Sequence, residues 1–329
     1  MKKLIFVIIL VLFTSGFYFA GAMAKVESEP MPIKKASISD RKIVTLGLPE
    51  QKIPRFLRIK HIELDASSVF LMNANTGQVL FEKNSDTSLP TASMSKMMTE
   101  LLVLEAIDEQ HLSWDTNVSI SDYAYAISSQ PGFASVQLEK GNSYTVKALF
   151  EAMAVHSANG AAIALAEAVA TTEEKFVKQM NQKAEDLDLK DSRFVNSSGL
   201  DNAHLGKYYS VGEFEDTNTM SAQDLAKLAE HLITEYPELL GTINEKQYVR
   251  NNKSYPNTNW MLPNVSAYGL AYEGVDGLKT GYTDQAGYGF TGTVERNGIR
   301  LISVVMGTSS KMERFEETEK LYDASFELY

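Results

Sequence analysis

The chain contains no cysteine, which excludes disulfides, thiolate metal sites, a cysteine nucleophile and a lipid anchor on a modified cysteine. Histidine is sparse: His61, His111, His156, His204 and His231 show no H-x-x-x-H or H-E-x-x-H spacing, which argues against a zinc peptidase, and no metal or other cofactor is expected. Basic charge is in deficit, with 31 Lys and Arg against 42 Asp and Glu and a formal net charge of −11. That balance argues against a nucleic-acid partner or a basic membrane-binding surface. Internal repeats and low-complexity stretches are lacking too.

What is present is enough for a packed core: 329 residues, 44% of them hydrophobic, room for one large domain or two small ones. Lys2 and Lys3 precede an uncharged run, Leu4 to Ala24, that closes on Ala22-Met23-Ala24, the pattern of a secretory signal. The protein is therefore expected to act outside the cytoplasm. The same run is long enough to cross a bilayer, so residues 1–24 are either a cleaved signal or a retained anchor, with residues 4–24 as the membrane attachment. Removing 1–24 deletes two lysines and takes the charge from −11 to −13. Residues 25–58 carry Pro30, Pro32 and Pro54 among charges without an apolar period and read as a linker. Residues 59–329 form the expected catalytic domain.

Pro90-Thr91-Ala92-Ser93-Met94-Ser95-Lys96-Met97-Met98-Thr99 organises that domain. Pro90 disfavours helix at Leu89, and Met94, Met97, Met98, Leu101, Leu102 and Leu104 recur at helical spacing, which predicts a buried helix from about Thr91. Ser93 and Lys96 then share a face, so the amine reaches the hydroxyl. Burial can bring a lysine from about 10.4 toward roughly 7 to 8, where it accepts a seryl proton; this supplies a base without histidine. The N–H groups of the first turn suit an oxyanion.

S-x-x-K alone is weak, since Ser39-Asp40-Arg41-Lys42 repeats it in a polar stretch. Two further motifs add weight: Ser157-Ala158-Asn159 is the only S-x-N and Lys279-Thr280-Gly281 the only K-T-G. The apolar residues Val69, Phe70 and Leu71 and Val79, Leu80 and Phe81 flank Asn73-Ala74-Asn75-Thr76-Gly77, which predicts a strand, turn and strand over 67–81. The Ala-rich run 146–170 is interrupted by His156-Ser157-Ala158-Asn159-Gly160, which predicts two helices joined at a bend. Phe176, Met180, Ala184 and Leu187 predict an amphipathic helix, and Ser221 caps another with Leu225, Leu228, Ala229 and Leu232 as its inner stripe. Runs 288–294 and 299–306, joined through Asn297-Gly298, predict a hairpin, and Phe315, Leu321, Tyr322 and Phe326 a terminal helix. The reading is an α/β (α+β) fold: one antiparallel sheet built from both termini, covered by helices, with a mainly helical subdomain inserted over about 107–260 and the active site in the seam.

S-x-x-K, S-x-N and K-T-G in this order form the motif set of penicillin-binding proteins and serine β-lactamases. With Asp276-Gly277-Leu278-Lys279-Thr280-Gly281-Tyr282-Thr283, Phe194-Val195-Asn196, Gly199-Leu200, Ser221-Ala222-Gln223-Asp224 and Arg314-Phe315-Glu316-Glu317-Thr318, the chain resembles the low-molecular-mass serine-type D-alanyl-D-alanine carboxypeptidases, peptidase family S11, over residues 60–329. The resemblance implies a β-lactamase/transpeptidase-like domain that removes the terminal D-alanine from peptidoglycan stem pentapeptides through an acyl-enzyme, with β-lactams as covalent inhibitors. It implies Ser93 as nucleophile, Lys96 as base, Ser157 as proton relay and Asn159 as the holder of Lys96 and the substrate backbone. Lys279 and Thr280 would bind the substrate carboxylate, Gly281 would let substrate lie along the strand, and the N–H groups of Ser93 and Tyr282 would form the oxyanion hole.

Gly160 departs from the pattern, standing where many relatives have Asp, and leaves the local bend undefined. Many relatives also continue past the position of Tyr329 into a β-rich domain and an amphipathic membrane helix, so the expectation is a soluble exported enzyme or anchoring through 4–24. His156 is read as a bystander, Thr283 and Arg314 as supporting residues, and Arg314 as paired with a carboxylate of the terminal helix. A class A β-lactamase would need E-x-x-x-N, which does not occur. A non-catalytic penicilloyl sensor and a DD-endopeptidase remain the other readings.

Overall fold

The first and last strand-forming apolar runs of the domain, Ser68–Asn73 (β1) and the C-terminal Ile299–Thr308, lie side by side in one sheet, Ser68 opposite Met306 and Asn73 opposite Leu301. The computed structural model describes residues 58–59, 62–265 and 268–329; the expected signal or anchor over 1–24 and all of the expected linker over 25–58 except its last residue lie outside the described residues. After β1 come Gln78–Lys83 (β2), Leu89–Pro90 (β3), Lys96–Asp108 (α1), Asn117–Ser119 (β4), Asp122–Ser128 (α2) and Ser143–Thr145 (β5). Then follow Val146–His156 (α3), Asn159–Ala170 (α4), Glu173–Asp186 (α5), Asn202–Leu205 (α6), Thr219–Met220 (β6), Ala222–Glu235 (α7) and Leu239–Ile243 (α8). The chain closes with Gln247–Arg250 (β7), Lys253–Pro256 (β8), Val275–Thr283 (β9), Gly287–Arg296 (β10), Ile299–Thr308 (β11) and Glu313–Phe326 (α9).

The five-stranded sheet runs β2-β1-β11-β10-β9 with every pairing antiparallel, as expected of a sheet assembled from both ends of the domain. Period-2 alternation gives it two buried faces. Val69 and Leu71 of β1 with Leu301 and Val305 of β11 join Phe315, Leu321 and Tyr322 of α9 in one core. Phe70 and Met72 with Ile302, Val304 and Met306 join Met97 and Leu101 of α1 and Leu225 and Leu228 of α7 in the other. Each such side chain, fully withdrawn from water, contributes about 1.5–3 kcal/mol.

α1 lies inside the larger core: Lys96 to Leu104 are all buried, so it has no solvent face, which matches its lack of an amphipathic stripe. The predicted pair over 146–170 forms as α3 and α4, and Ser221 caps α7 by accepting from the Asp224 N–H. The inserted segment is less purely helical than expected. It holds the β4–β5 pair and the β7–β8 hairpin, whose turn residues Asn251 and Asn252 have φ of 49° and 58°. Adjacent asparagines in the left-handed region are a hairpin signal, legible in the sequence though not used there.

Gly160 has a packing explanation. A Cβ on it would lie 2.6 Å from Ser128 Cβ and 2.7 Å from the Ala124 carbonyl oxygen, because α2 crosses α4 against the glycine. The bend is defined by Ser157, which closes α3 with φ 63° and ψ 28°. Gly160→Asp is therefore expected to lower unfolding free energy by about 1–3 kcal/mol through overpacking, read by denaturant melting of the purified variant.

Candidate active site

The helix carrying Ser93 starts later than its apolar spacing predicts. Pro90 lies in β3, paired with Thr219 of β6, and the Thr91 N–H donates to the Asn218 carbonyl at 3.0 Å. Ala92 takes φ 47°, a left-handed conformation costing a non-glycine residue roughly 1–2 kcal/mol. The chain then makes a 3₁₀ turn over Ala92–Ser95, and α1 begins at Lys96. Ser93 is thus presented on a tight turn, with Lys96 as the first residue of the helix behind it.

The Lys96 amine is completely buried, with Nζ 2.8 Å from Ser93 Oγ, 2.6 Å from Asn159 Oδ1 and 2.5 Å from the Ser198 carbonyl oxygen. Two of these neighbours, an amide oxygen and a backbone carbonyl, only accept. A neutral amine has two hydrogens, so those carbonyls take both and the lone pair is left facing the Ser93 hydroxyl. Burial, followed by the positive charge of Lys279, holds the Lys96 pKa well below that of an ordinary lysine, while Glu100 opposes the shift.

Ser157 reaches the same site from the α3–α4 bend, its Oγ accepting from Lys279 Nζ at 2.8 Å. Lys279, Thr280 and Gly281 lie on β9, the last strand of the sheet, so the K-T-G stretch has one edge free of sheet pairing. Lys279 is buried, and that burial pulls its pKa down to about 8 against the opposing charge of Glu100. Thr280 donates to Thr258 Oγ1 at 2.8 Å. Gly281 is needed for close approach: a Cβ there would lie 2.6 Å from the Thr91 carbonyl oxygen, so β9 passes directly against the turn that carries Ser93. The Tyr282 side chain points outward, stacked on Tyr288 with ring centroids 4.1 Å apart, its hydroxyl donating to Asp284 at 2.7 Å.

Ser93, Ser157, Asn159, Thr280, Gly281 and Tyr282 line one cleft of about 840 Å³, with Lys96 and Lys279 buried behind it. Arg314 also lines it and departs from expectation. It is buried and donates from Nη1 to the Gly281 and Gly289 carbonyls at 3.1 and 3.4 Å, in place of the predicted pairing with a carboxylate of α9. Thr283 accepts from the Ala286 N–H and so shapes the β9–β10 turn. His156 edges the cleft with Nδ1 2.8 Å from the Pro256 carbonyl, an acceptor, so that nitrogen carries the hydrogen. Among the described residues no three His, Asp or Glu side chains converge as a metal site.

Sequence reasoning missed the clamp around the lysine. Asn218 Oδ1 accepts from the Val195 and Asn196 N–H groups, and its Nδ2 donates to Ser95 Oγ and the Asn196 carbonyl, which ties the Ser93 turn to the loop of Ser198. Asn196 Oδ1 in turn holds the Ser198 and Gly199 N–H groups. The Phe194-Val195-Asn196 and Gly199-Leu200 stretches were recognisable, but their task was not, since a backbone carbonyl leaves no residue-type signal.

This arrangement, a serine on a strained turn, a buried lysine against it and a Ser-Lys pair facing it from another helix and the sheet edge, is that of the serine peptidases with an S-x-x-K nucleophile. The chain matches the family model described as D-alanyl-D-alanine carboxypeptidase, peptidase family S11, over residues 56–310, and belongs to that family. It is 35% identical over 272 residues to D-alanyl-D-alanine carboxypeptidase DacF of Bacillus subtilis; that alignment takes in 83% of this chain and 65% of DacF, so the chain spans just under two thirds of that relative's length. Its structure is similar to a peptidoglycan synthesis regulatory factor (PBP3) from Streptococcus pneumoniae, with a TM-score of 0.76 and 36% identity over 80% of this chain and 73% of that one. It is also similar to the cefotaxime-bound penicillin-binding protein D2 of Listeria monocytogenes, with a TM-score of 0.69 and 32% identity over 81% of this chain and 99% of that one.

The contact of Gly281 with the Ser93 turn yields a prediction. Gly281→Ala should leave far-UV circular dichroism unchanged but slow covalent labelling of the protein by a fluorescent penicillin about 10²-fold, the scale on which a reacting group is misplaced by an ångström; stopped-flow or gel detection of the label reads it.

Proposed function

We propose that this protein is a serine-type DD-carboxypeptidase that removes the terminal D-alanine from peptidoglycan stem pentapeptides ending in D-Ala-D-Ala. The observation that carries the reading is the Lys96 amine, buried and placed with its only unsatisfied direction toward Ser93 Oγ. Ser93 Oγ attacks the carbonyl carbon of the penultimate D-alanine as its proton passes to Lys96 Nζ. The oxyanion of the tetrahedral intermediate lies against the backbone N–H groups of Ser93 and Tyr282, each donor worth roughly 2.7–4 kcal/mol in comparable sites. The C–N bond then breaks, the leaving D-alanine amine takes a proton through Ser157, and water hydrolyses the seryl ester.

Lys279 has two tasks in this scheme. It holds Ser157 Oγ at 2.8 Å and supplies positive potential for the substrate's terminal carboxylate, which Thr280 also binds. Asn159 holds Lys96 and the substrate backbone, and the substrate adds along the free edge of β9. β-Lactams present a strained amide to the same serine and acylate it, and without an E-x-x-x-N water-activating element the acyl-enzyme turns over slowly. Such a substrate places the protein outside the cytoplasm, at the cell wall, released or attached through residues 4–24. Among the described residues no helix is long and apolar enough to cross a membrane, and residues 4–24 are not among them.

D-Alanine release from a diacyl-Lys-D-Ala-D-Ala tripeptide by protein lacking residues 1–24 tests the reading. Ser93→Ala should reduce release by at least about 10³-fold, and nitrocefin should be bound without rapid consumption. Folded wild-type protein that releases no D-alanine but cleaves cross-linked muropeptides would move the reading to a DD-endopeptidase. The pH dependence of kcat/KM should be bell-shaped. It rises as Lys96 loses its proton, well below 10.5, and falls as Lys279 loses its own near about 8.

A further inference from the structure

One turn beyond Lys96, on the same face of α1, lies a second buried ionisable group with no role in the scheme above. Glu100 is fully buried, and neither of its carboxylate oxygens has a hydrogen-bond partner. An isolated buried carboxylate is strongly disfavoured unless an opposite charge compensates it. The charges acting on it are those of Lys279, from β9, and Lys96, from its own helix, and it acts back on both. Neither lysine touches it, because Lys96 Nζ is taken by Ser93, Asn159 and Ser198, and Lys279 Nζ by Ser157 and the Thr280 carbonyl.

Four ionisable side chains on the helices packed around α1 are engaged elsewhere. His156 of α3 faces the Pro256 carbonyl, and Glu167 of α4 bonds Ser121. Glu173 of α5 is held by Ser197 and Tyr123, and Asp224 of α7 by Ser192 and the Asp191 N–H. Arg314 of α9 acts on Lys279 and not directly on the carboxylate. The buried charge system of the site is therefore two lysines and one carboxylate. One carboxylate cannot balance two protonated lysines, and the buried Arg314 guanidinium beside Lys279 adds a further positive charge, so charge balance favours no more than one protonated lysine.

We propose that Glu100 is a positioning residue that acts through charge: as the buried counter-ion it keeps Lys279 cationic for the substrate carboxylate while Lys96 stays neutral as the base. The proposal rests on the reading of Ser93 and Lys96 as nucleophile and base. Burial raises the Glu100 pKa to about 7 against the pull of the two lysines, so the carboxylate carries its charge mainly above about pH 7, and it acts on the lysines as a counter-ion in that range. Removing its charge lowers the proton affinity of both lysines together, which moves both limbs of the pH profile in one direction; a loss of packing would move neither.

The test is the second-order rate of Ser93 acylation by a fluorescent penicillin from pH 5 to 10, for wild type, Glu100→Gln, Glu100→Met and Glu100→Asp, with thermal unfolding measured in parallel. In the Gln and Met variants both limbs should move to lower pH by about one unit, the low end of the effect of losing a nearby opposite charge. Glu100→Asp, which keeps the charge, should retain limbs close to wild type. Met matches Glu in length and places no unpaired polar group in the interior, so it supplies a folded comparison if the Gln variant does not fold. A folded Gln or Met variant with wild-type limbs overturns the proposal, as does an Asp variant whose limbs shift as far as those of Gln. Lys96→Met separates the two readings: if it still acylates at the wild-type rate, the base assignment itself fails, whereas if it is inert while the Glu100 variants keep wild-type limbs, only the role of Glu100 falls.

Discussion

The structure depends on keeping one amine out of water. Lys96 is worth little as a base on a solvated helix, where it would remain protonated far above neutral pH. Both its burial and its three neighbours require the rest of the domain. α4 brings Asn159, the loop around Ser198 brings a carbonyl, and α1 has no solvent face because α3, α4, α5 and α7 all pack against it. The sheet closes the remaining side, where β9 meets the turn of Ser93 so closely that a Cβ at position 281 would lie 2.6 Å from the Thr91 carbonyl oxygen.

That convergence strains the backbone at two places, and both are beside the site. Ala92, just before Ser93, and Ser157, at the α3–α4 bend, are non-glycine residues in the left-handed region. Each is over-determined by its neighbours: Ala92 sits between β3, with the bonded Thr91 N–H, and the 3₁₀ turn, while Ser157 sits between α3 and the start of α4, where α2 crosses Gly160. Strain of this kind persists where surrounding packing enforces it, and here it aims two hydroxyls into one cleft.

Much of this was legible in the sequence because it is local. Short apolar runs bounded by turn residues gave the strands of both termini, Asn297-Gly298 gave the hairpin, the polar interruption at 156–160 gave the bend, and three short motifs gave the residues that line the cleft or lie behind it. What stayed hidden is what arises from distance along the chain. The Ser198 carbonyl and Asn218 act on Lys96 and Ser95 through contacts spanning 102 and 123 residues. Gly160 was a departure from the pattern without a reason until α2 supplied one. Arg314 was assigned a partner on its own helix and instead binds carbonyls of β9 and of the segment that begins β10. Glu100 was visible as a lone acid in an apolar run, yet only the fold reveals that two lysines lie close enough to act on it.

The account turns on the protonation state of Lys96, and the most direct measurement is a ¹³C NMR titration of the lysine ε-carbons in uniformly lysine-labelled protein, with the Lys96 resonance assigned by its absence in Lys96→Met. The structure predicts that this resonance titrates well below 10.5, apart from the envelope of the surface lysines. A Lys96 signal that stays protonated with that envelope would contradict the account, since the amine could not then accept the Ser93 proton at neutral pH.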